Sequence, residues 1–436
     1  MLKMEIVRAT ENFYCDAEWT FTPLDRSCAQ MVIKGTWLFR EKLDAGLLRE
    51  SLGRLLSFYP HVAARIRQEG FIEMNNGGVG FSAFERSSVT LDEVLRDRKA
   101  IDRYSEAVEL KRAAKGEAPL MNVTVTNIND GSVLSVHCAH VCMDGSSFYT
   151  MVRNWGLLAR GEQIVTPVVD QSRFPSADGS LPKEKAMAKA MESGWKSVSF
   201  SLLPTKIYQS LIGVDKVRSE AINIPYSVVE KARNFIVSAG GRSLGNHAIL
   251  SAILSRVLTE LSGIGKGVMC SVLSVVDIRG RVRSLPHEFV GNAVSNIPSI
   301  EFHAGAGLGE IAGAVDNSLK TLFSDPEKME GFVALNLYAM EYKLPLVPFD
   351  IKGMNSNPPT TIYINNFSGF PMYDIDFGSG RPFRILPHDL PDAVKIFPAP
   401  DSKGVDVYLT GYPAKYFNSL KGDKVTRIIS MIEGLL

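Results

Sequence analysis

The 436-residue chain is longer than a single hydrophobic core usually grows, so two domains or one large pseudo-duplicated unit are expected. With 45% hydrophobic and 22% charged residues it has the composition of a soluble chain that buries a substantial core, which argues against wholesale disorder. Its 48 basic and 47 acidic side chains nearly cancel, unlike those of a phosphate-backbone binder, so nucleic acid is not expected as a partner.

No run of about 18 apolar residues occurs, and the opening MLKMEIVRATENFYCDAEW carries acidic residues where a signal peptide has its apolar stretch. No membrane span and a cytoplasmic location are therefore expected. Five cysteines, Cys15, Cys28, Cys138, Cys142 and Cys270, are few for the length and odd in number. Free thiols in a reducing compartment fit this better than a disulfide framework.

Residues 29–40 predict a strand, and Leu48, Leu52, Leu55 and Leu56 then recur at helical spacing from Asp44 until Pro60. Residues 120–127 and 132–138 are β-branched runs separated by Asn129, Asp130 and Gly131, which predicts a hairpin whose second strand ends at His140. After Asp144 and Gly145 the pattern turns helical, with Phe148, Met151, Val152 and Trp155 on one face until Gly161. His140 is thus expected in a strand-to-helix corner.

From Gly161 to about Ser201 the period is lost and Pro167, Pro175, Gly179 and Pro182 gather, the composition of an extended connection. The expected division is a first half over 1–180, a connecting segment over 181–215 and a second half over 216–436. In the second half a strand is predicted at Glu220 to Ile224, then a helix from Ser227. A long helix from Leu244 follows, apolar on more than one face as a buried helix is. Both halves read as α/β, with a similar element order and no fixed-period repeat.

The sharpest motif is His140-Val141-Cys142-Met143-Asp144-Gly145. A neutral imidazole can take a hydroxyl or amine proton near neutral pH, and a carboxylate four residues on can fix the corner that aims it. By itself the spacing is weak, because a histidine at a strand end is more often a satisfied structural residue than a catalyst.

Near the C-terminus stands Asp376-Phe377-Gly378-Ser379-Gly380. The pair of motifs resembles the BAHD acyltransferases, in which a His-x-x-x-Asp motif is joined by a C-terminal Asp-Phe-Gly-Trp-Gly. Further similarities follow in the family's order: Thr22-Pro23-Leu24-Asp25, Tyr59-Pro60, Pro167 to Ser172, Val276 to Arg281, and Gly291-Asn292-Ala293-Val294. None is specific alone, but their collinear order spans almost the whole chain.

The resemblance implies two chloramphenicol-acetyltransferase-like domains with mixed sheets flanked by helices and an active-site channel between them. It implies transfer of an acyl group from acyl-CoA, as co-substrate, to a small-molecule alcohol or amine, with His140 as general base and no permanently bound cofactor. A monomer is expected. Asp144, by the same resemblance, points away from His140 and pairs with an arginine, Arg279 being the natural partner. Gly145, Asp376 and Gly378 would be structural, and Ser379 departs from the family's Trp.

Substrate or oxyanion contacts are expected from Thr22, Asn292, Asn365, Asn366 and Phe367. Asn365-Asn366-Phe367 stands where many plant members carry Thr or Ser before Trp; the Phe367 ring has no N–H, so the asparagine amides are the available donors. The pair also reads as strand-end asparagines satisfying backbone groups. Arg242 and Ser243, just before the long helix, are expected contacts for CoA phosphate.

Competing motifs are weaker. His137, Cys138, His140 and Cys142 offer metal ligands, but alternate residues of a strand face opposite sides and no second Cys/His pair follows, so no metal is expected. Gly305-Ala306-Gly307-Leu308-Gly309 and Gly263-Ile264-Gly265-Lys266-Gly267 miss the spacing of nucleotide-binding loops and read as turns. Ser146 and Ser147 lack the flanking glycines of a nucleophile elbow. Two other functions stay open: a condensation-domain or wax-ester-synthase-like enzyme, and a non-catalytic binding protein of the same fold.

Overall fold

The computed structural model describes residues 4–11, 17–68, 70–97, 100–177, 179–197, 220–298, 300–386, 394–409 and 424–435. The chain divides into two compact units. The first comprises 1–175, 278–293 and 370–388, the second 176–277, 294–369 and 389–436.

In the first unit six strands form a sheet in the order Glu5–Val7, Val79–Arg86, Met121–Ile128, Gly131–Ala139, Val32–Phe39, Arg384–Leu386. One pair, Val79–Arg86 with Met121–Ile128, is parallel and the rest are antiparallel, so the sheet is mixed. The predicted hairpin is its centre, closing at Ile128 opposite Gly131, and every residue of both strands is buried. The predicted first helix runs over Ala45–Phe58; Asp44 Oδ1 caps it by accepting from the Gly46 and Leu47 N–H groups at 2.8 and 3.1 Å. It packs against the helix Gly145–Ala159, where Trp155 Nε1 donates to Ser51 Oγ at 3.0 Å.

In the second unit the strand order is Glu220–Pro225, Gly404–Leu409, Val394–Pro398, Thr361–Asn366, Met269–Asp277, Val294–Asn296, with Ile300–His303 also paired to Met269–Asp277. Thr361–Asn366 is parallel to both its neighbours. The helix Asn246–Leu261 buries Ile249, Leu250, Ile253, Leu254, Val257 and Leu258, as its all-round apolar pattern requires. It begins two residues after Leu244, because Gly245 has extended backbone and occupies the cap position. Each unit is therefore α/β with a mixed sheet.

Two differences from the sequence reading have clear causes. The segment read as an extended connection contains a helix, Lys183–Glu192, made of good helix formers whose Ala186 and Ala190, four apart, are buried in a cluster with Trp195 and Phe332. The expected division at 180 and 216 is sequential, whereas the units interleave in the chain. Residues 370–388 join the first unit because Arg384–Leu386 pairs with the strand Val32–Phe39; residues 278–293 join it through the bonds described below.

Among the described residues no helix is long and apolar enough to cross a membrane. Cys28, Cys138, Cys142 and Cys270 are free thiols, and Cys15 lies outside the described residues.

Candidate active site

His140 directly follows the strand Gly131–Ala139, and its N–H still donates to Met31 O at 2.9 Å. A tight turn through Cys142, whose N–H donates to Ala139 O at 3.0 Å, brings the chain to Asp144, the cap of the helix that starts at Gly145. Asp144 Oδ1 accepts from Ser147 N–H at 2.9 Å, and Oδ2 accepts from Ala293 N–H at 2.9 Å and meets Arg279 Nη2 at 2.9 Å. With both side chains 4% exposed, this is a buried ion pair.

Such a pair is tolerated only when the remaining donors and acceptors are satisfied. They are: Arg279 Nε donates to Phe289 O at 2.6 Å, and Nη2 donates to Ser147 Oγ at 2.7 Å and Gly291 O at 2.8 Å. Asp144 is thus engaged by the helix cap, by Ala293 and by Arg279.

A second contact at the corner comes from Asn292. Its Nδ2 donates to His140 O at 2.9 Å and to Asp25 Oδ1 at 2.8 Å. Asp25 is itself fully buried and closes a capping box with Thr22: its Oδ2 accepts from Thr22 N–H at 2.8 Å and Thr22 Oγ1 at 2.9 Å, and its own N–H donates back to Thr22 Oγ1 at 3.1 Å. Thr22 and Asn292, expected as substrate contacts, are thus committed to holding the corner. Asp25 was missed as a site residue, although the spacing Thr22-x-x-Asp25 is a legible capping signal.

Burial lowers the pKa of His140, opposed by its own carbonyl, the Asp144 charge and the Asn292 amide. The neutral imidazole is the form favoured near pH 7. His140 Nδ1 and Asn292 Oδ1 are both buried without a partner of good hydrogen-bond geometry. Burial raises Asp25 to about 6, against the hydrogen bonds from Asn292 and Thr22. A half-buried, neutral imidazole at a rigid corner can act as a proton acceptor.

The Asp376 motif shapes the same unit. Asp376 Oδ1 accepts from Gly378 N–H at 2.8 Å and Gly380 N–H at 3.0 Å, and both glycines have φ near +100°, a conformation that costs other residues strain. The Phe377 ring meets Trp155 edge-on at 4.9 Å. Ser379 sits at the bend between the two glycines.

The other expected residues belong to the second unit. Asn366 Nδ2 lies 3.1 Å from His247 Nδ1, and its Oδ1 accepts from Ser368 N–H at 2.9 Å, so Asn366 satisfies local groups. Phe367 N–H donates to Ile396 O at 2.7 Å, with its ring 5.3 Å from that of Phe397. Asn365 alone of the three keeps an uncommitted amide among the described residues. Arg242 Nη2 is paired with Asp316 Oδ2 at 2.7 Å and also donates to Asn317; Ser243 is exposed beside it.

The profile of the Transferase family matches residues 20–415. Over 83% of this chain and 82% of its own length, a hydroxycinnamoyltransferase of Narcissus pseudonarcissus is 24% identical. Among solved structures, vinorine synthase superposes with a TM-score of 0.69 at 16% identity, covering 98% of this chain and 97% of its own. F. graminearum TRI101 complexed with coenzyme A and T-2 mycotoxin gives 0.73 at 12% identity, covering 94% and 98%. These structures share the chloramphenicol-acetyltransferase-like fold. The chain belongs to the Transferase family, the BAHD acyltransferases, and is an acyltransferase.

Proposed function

We propose that the protein transfers an acyl group from a CoA thioester to the alcohol or amine of a small molecule, with His140 as general base. The observation that carries this reading is the corner itself. The imidazole is neutral and half-buried, Asn292 holds the backbone carbonyl of His140, and the Asp144–Arg279 pair fixes the helix that follows. Coenzyme A in the related TRI101 crystals supports the donor class.

His140 takes the proton of the acceptor as its oxygen or nitrogen attacks the thioester carbonyl, a tetrahedral oxyanion forms, and its collapse expels CoA thiolate. The imidazolium then returns the proton to the thiolate. No acyl-enzyme forms, and Cys138 and Cys142, buried with Cys142 pushed toward the thiol form by its neighbour Cys138 and by burial, take no part.

The test is release of free thiol from acetyl-CoA and from a hydroxycinnamoyl-CoA, each offered with a panel of amines and alcohols, with products identified by mass. Acceptor-dependent release with a new ester or amide supports the reading. Transfer only from carrier-protein thioesters would move it to the condensation-domain class, and binding without turnover to a non-catalytic protein.

A further inference from the structure

On the helix Gly145–Ala159, Ser146, Thr150 and Arg153 recur four and three residues apart and form one stripe. The stripe lines a cavity of about 290 Å³ in the first unit, at the small end for ligand sites. The rest of the wall includes Gln163, Val165, Pro167 and residues 287–290. A parallel bridge between Val168 and Phe289 holds them together, with Val168 N–H donating to Glu288 O at 2.9 Å and Val290 N–H to Val168 O at 3.0 Å. Tyr59 and Asn154, buried and bonded to each other at 2.9 Å, form a rigid floor. His140 is not among the lining residues.

The unusual feature is charge. Arg153 and Glu288 both line this cavity, yet among the described residues the side chain of neither makes an ion pair or hydrogen bond, and neither do the hydroxyls of Ser146 and Thr150. Arg160, about two turns beyond Arg153 at the end of the helix, already pairs with Glu162. A simple anion here would meet Glu288 and a simple cation would meet Arg153, whereas one small molecule bearing both charges satisfies each.

We infer that this cavity binds a small zwitterion of the amino-acid class, its carboxylate against Ser146, Thr150 and Arg153 and its ammonium against Glu288. The site is separate from the acyl-transfer centre and does not depend on that activity. It shares Ser147 and Arg279 with the scaffold behind His140.

The test is calorimetric titration of the full chain with each of the common amino acids, and with acetate and methylamine as the single-charge halves. Binding of at least one amino acid is expected, stronger than either half. Arg153→Ala and Glu288→Ala, both at exposed positions, should each weaken it about tenfold, as loss of one charge-assisted contact does. Affinity should survive His140→Ala and saturating CoA. The inference is overturned if no amino acid binds, if acetate binds as well, if affinity survives either charge removal, or if CoA displaces the ligand.

Discussion

The side-chain nitrogen of Asn292 donates to the backbone carbonyl of His140 at 2.9 Å, joining two residues 152 positions apart in the chain. Because the same nitrogen also serves Asp25, Asn292→Ala removes the support of the corner and one donor to a fully buried carboxyl group. We expect a loss of about 1–3 kcal/mol in urea denaturation. Turnover should fall with kcat reduced more than KM is raised, since the imidazole is misplaced while donor binding is untouched. Unchanged stability and kcat would refute the assignment.

Asp144→Asn keeps a side chain able to cap the helix but removes the charge opposite Arg279, both groups being 4% exposed. Breaking a buried pair from one side typically costs about 3–5 kcal/mol. The variant is expected to melt early, with whatever remains folded still turning over. Normal stability with a clean loss of turnover would give Asp144 a chemical role instead.

A Cβ on Gly156 would lie 2.7 Å from the carbonyl oxygen of Asp376, backbone that cannot swing aside. Gly156→Ala should therefore separate the helix from the Asp376 turn and cost about 1–3 kcal/mol as an overpacked contact does, although Ala is the better helix former. Thermal unfolding beside the wild type measures this. A higher melting temperature would contradict the packing described here.

Acid should destabilise the protein. Burial lowers His61 and His137 to about 3, His137 being lowered further by nearby Lys34, and burial lowers His247 to about 4, from an ordinary 6.5. Their stabilising contribution is full above 6.5 and is lost as pH falls toward 4 and 3, because the unfolded chain binds the protons first. Asp25 runs the other way: raised from 3.8 to about 6, it favours the fold fully below 3.8 and loses that contribution as pH rises through 6. With His140 lowered in the same direction, four histidines against Asp25 predict a net drop between pH 6.5 and 4, read by urea midpoints across that range. His61→Phe should flatten the drop, and an unchanged slope would contradict this origin.

Much of the fold was legible because local periodicity carried it. The hairpin ending at His140 and the helix after Asp144 appear within a residue or two of their expected limits. What periodicity cannot carry is a return of the chain. Residues 278–293 bring Arg279 and Asn292 to the corner through an ion pair and side-chain hydrogen bonds, with no pattern in the intervening sequence to announce them. Arg279 was named from resemblance alone. Asn292 was named for a different task, and Asp25 was overlooked because a short five-residue helix gives no apolar period even when its capping box is plain. The Ser146–Thr150–Arg153 stripe is readable as spacing, but the wall that turns it into a cavity comes from 287–290.

The most direct measurement is turnover of His140→Ala beside the wild type, Cys138→Ser and Cys142→Ser, with intact-protein mass recorded after exposure to acyl-CoA alone. Removal of a general base lowers the rate by about 10²- to 10⁴-fold. We expect that loss in His140→Ala with acyl-CoA affinity and melting behaviour close to wild type, near-normal turnover in both cysteine variants, and no mass increase. Wild-type turnover in His140→Ala, or an acyl adduct that forms as fast as product, would contradict direct transfer with His140 as the base.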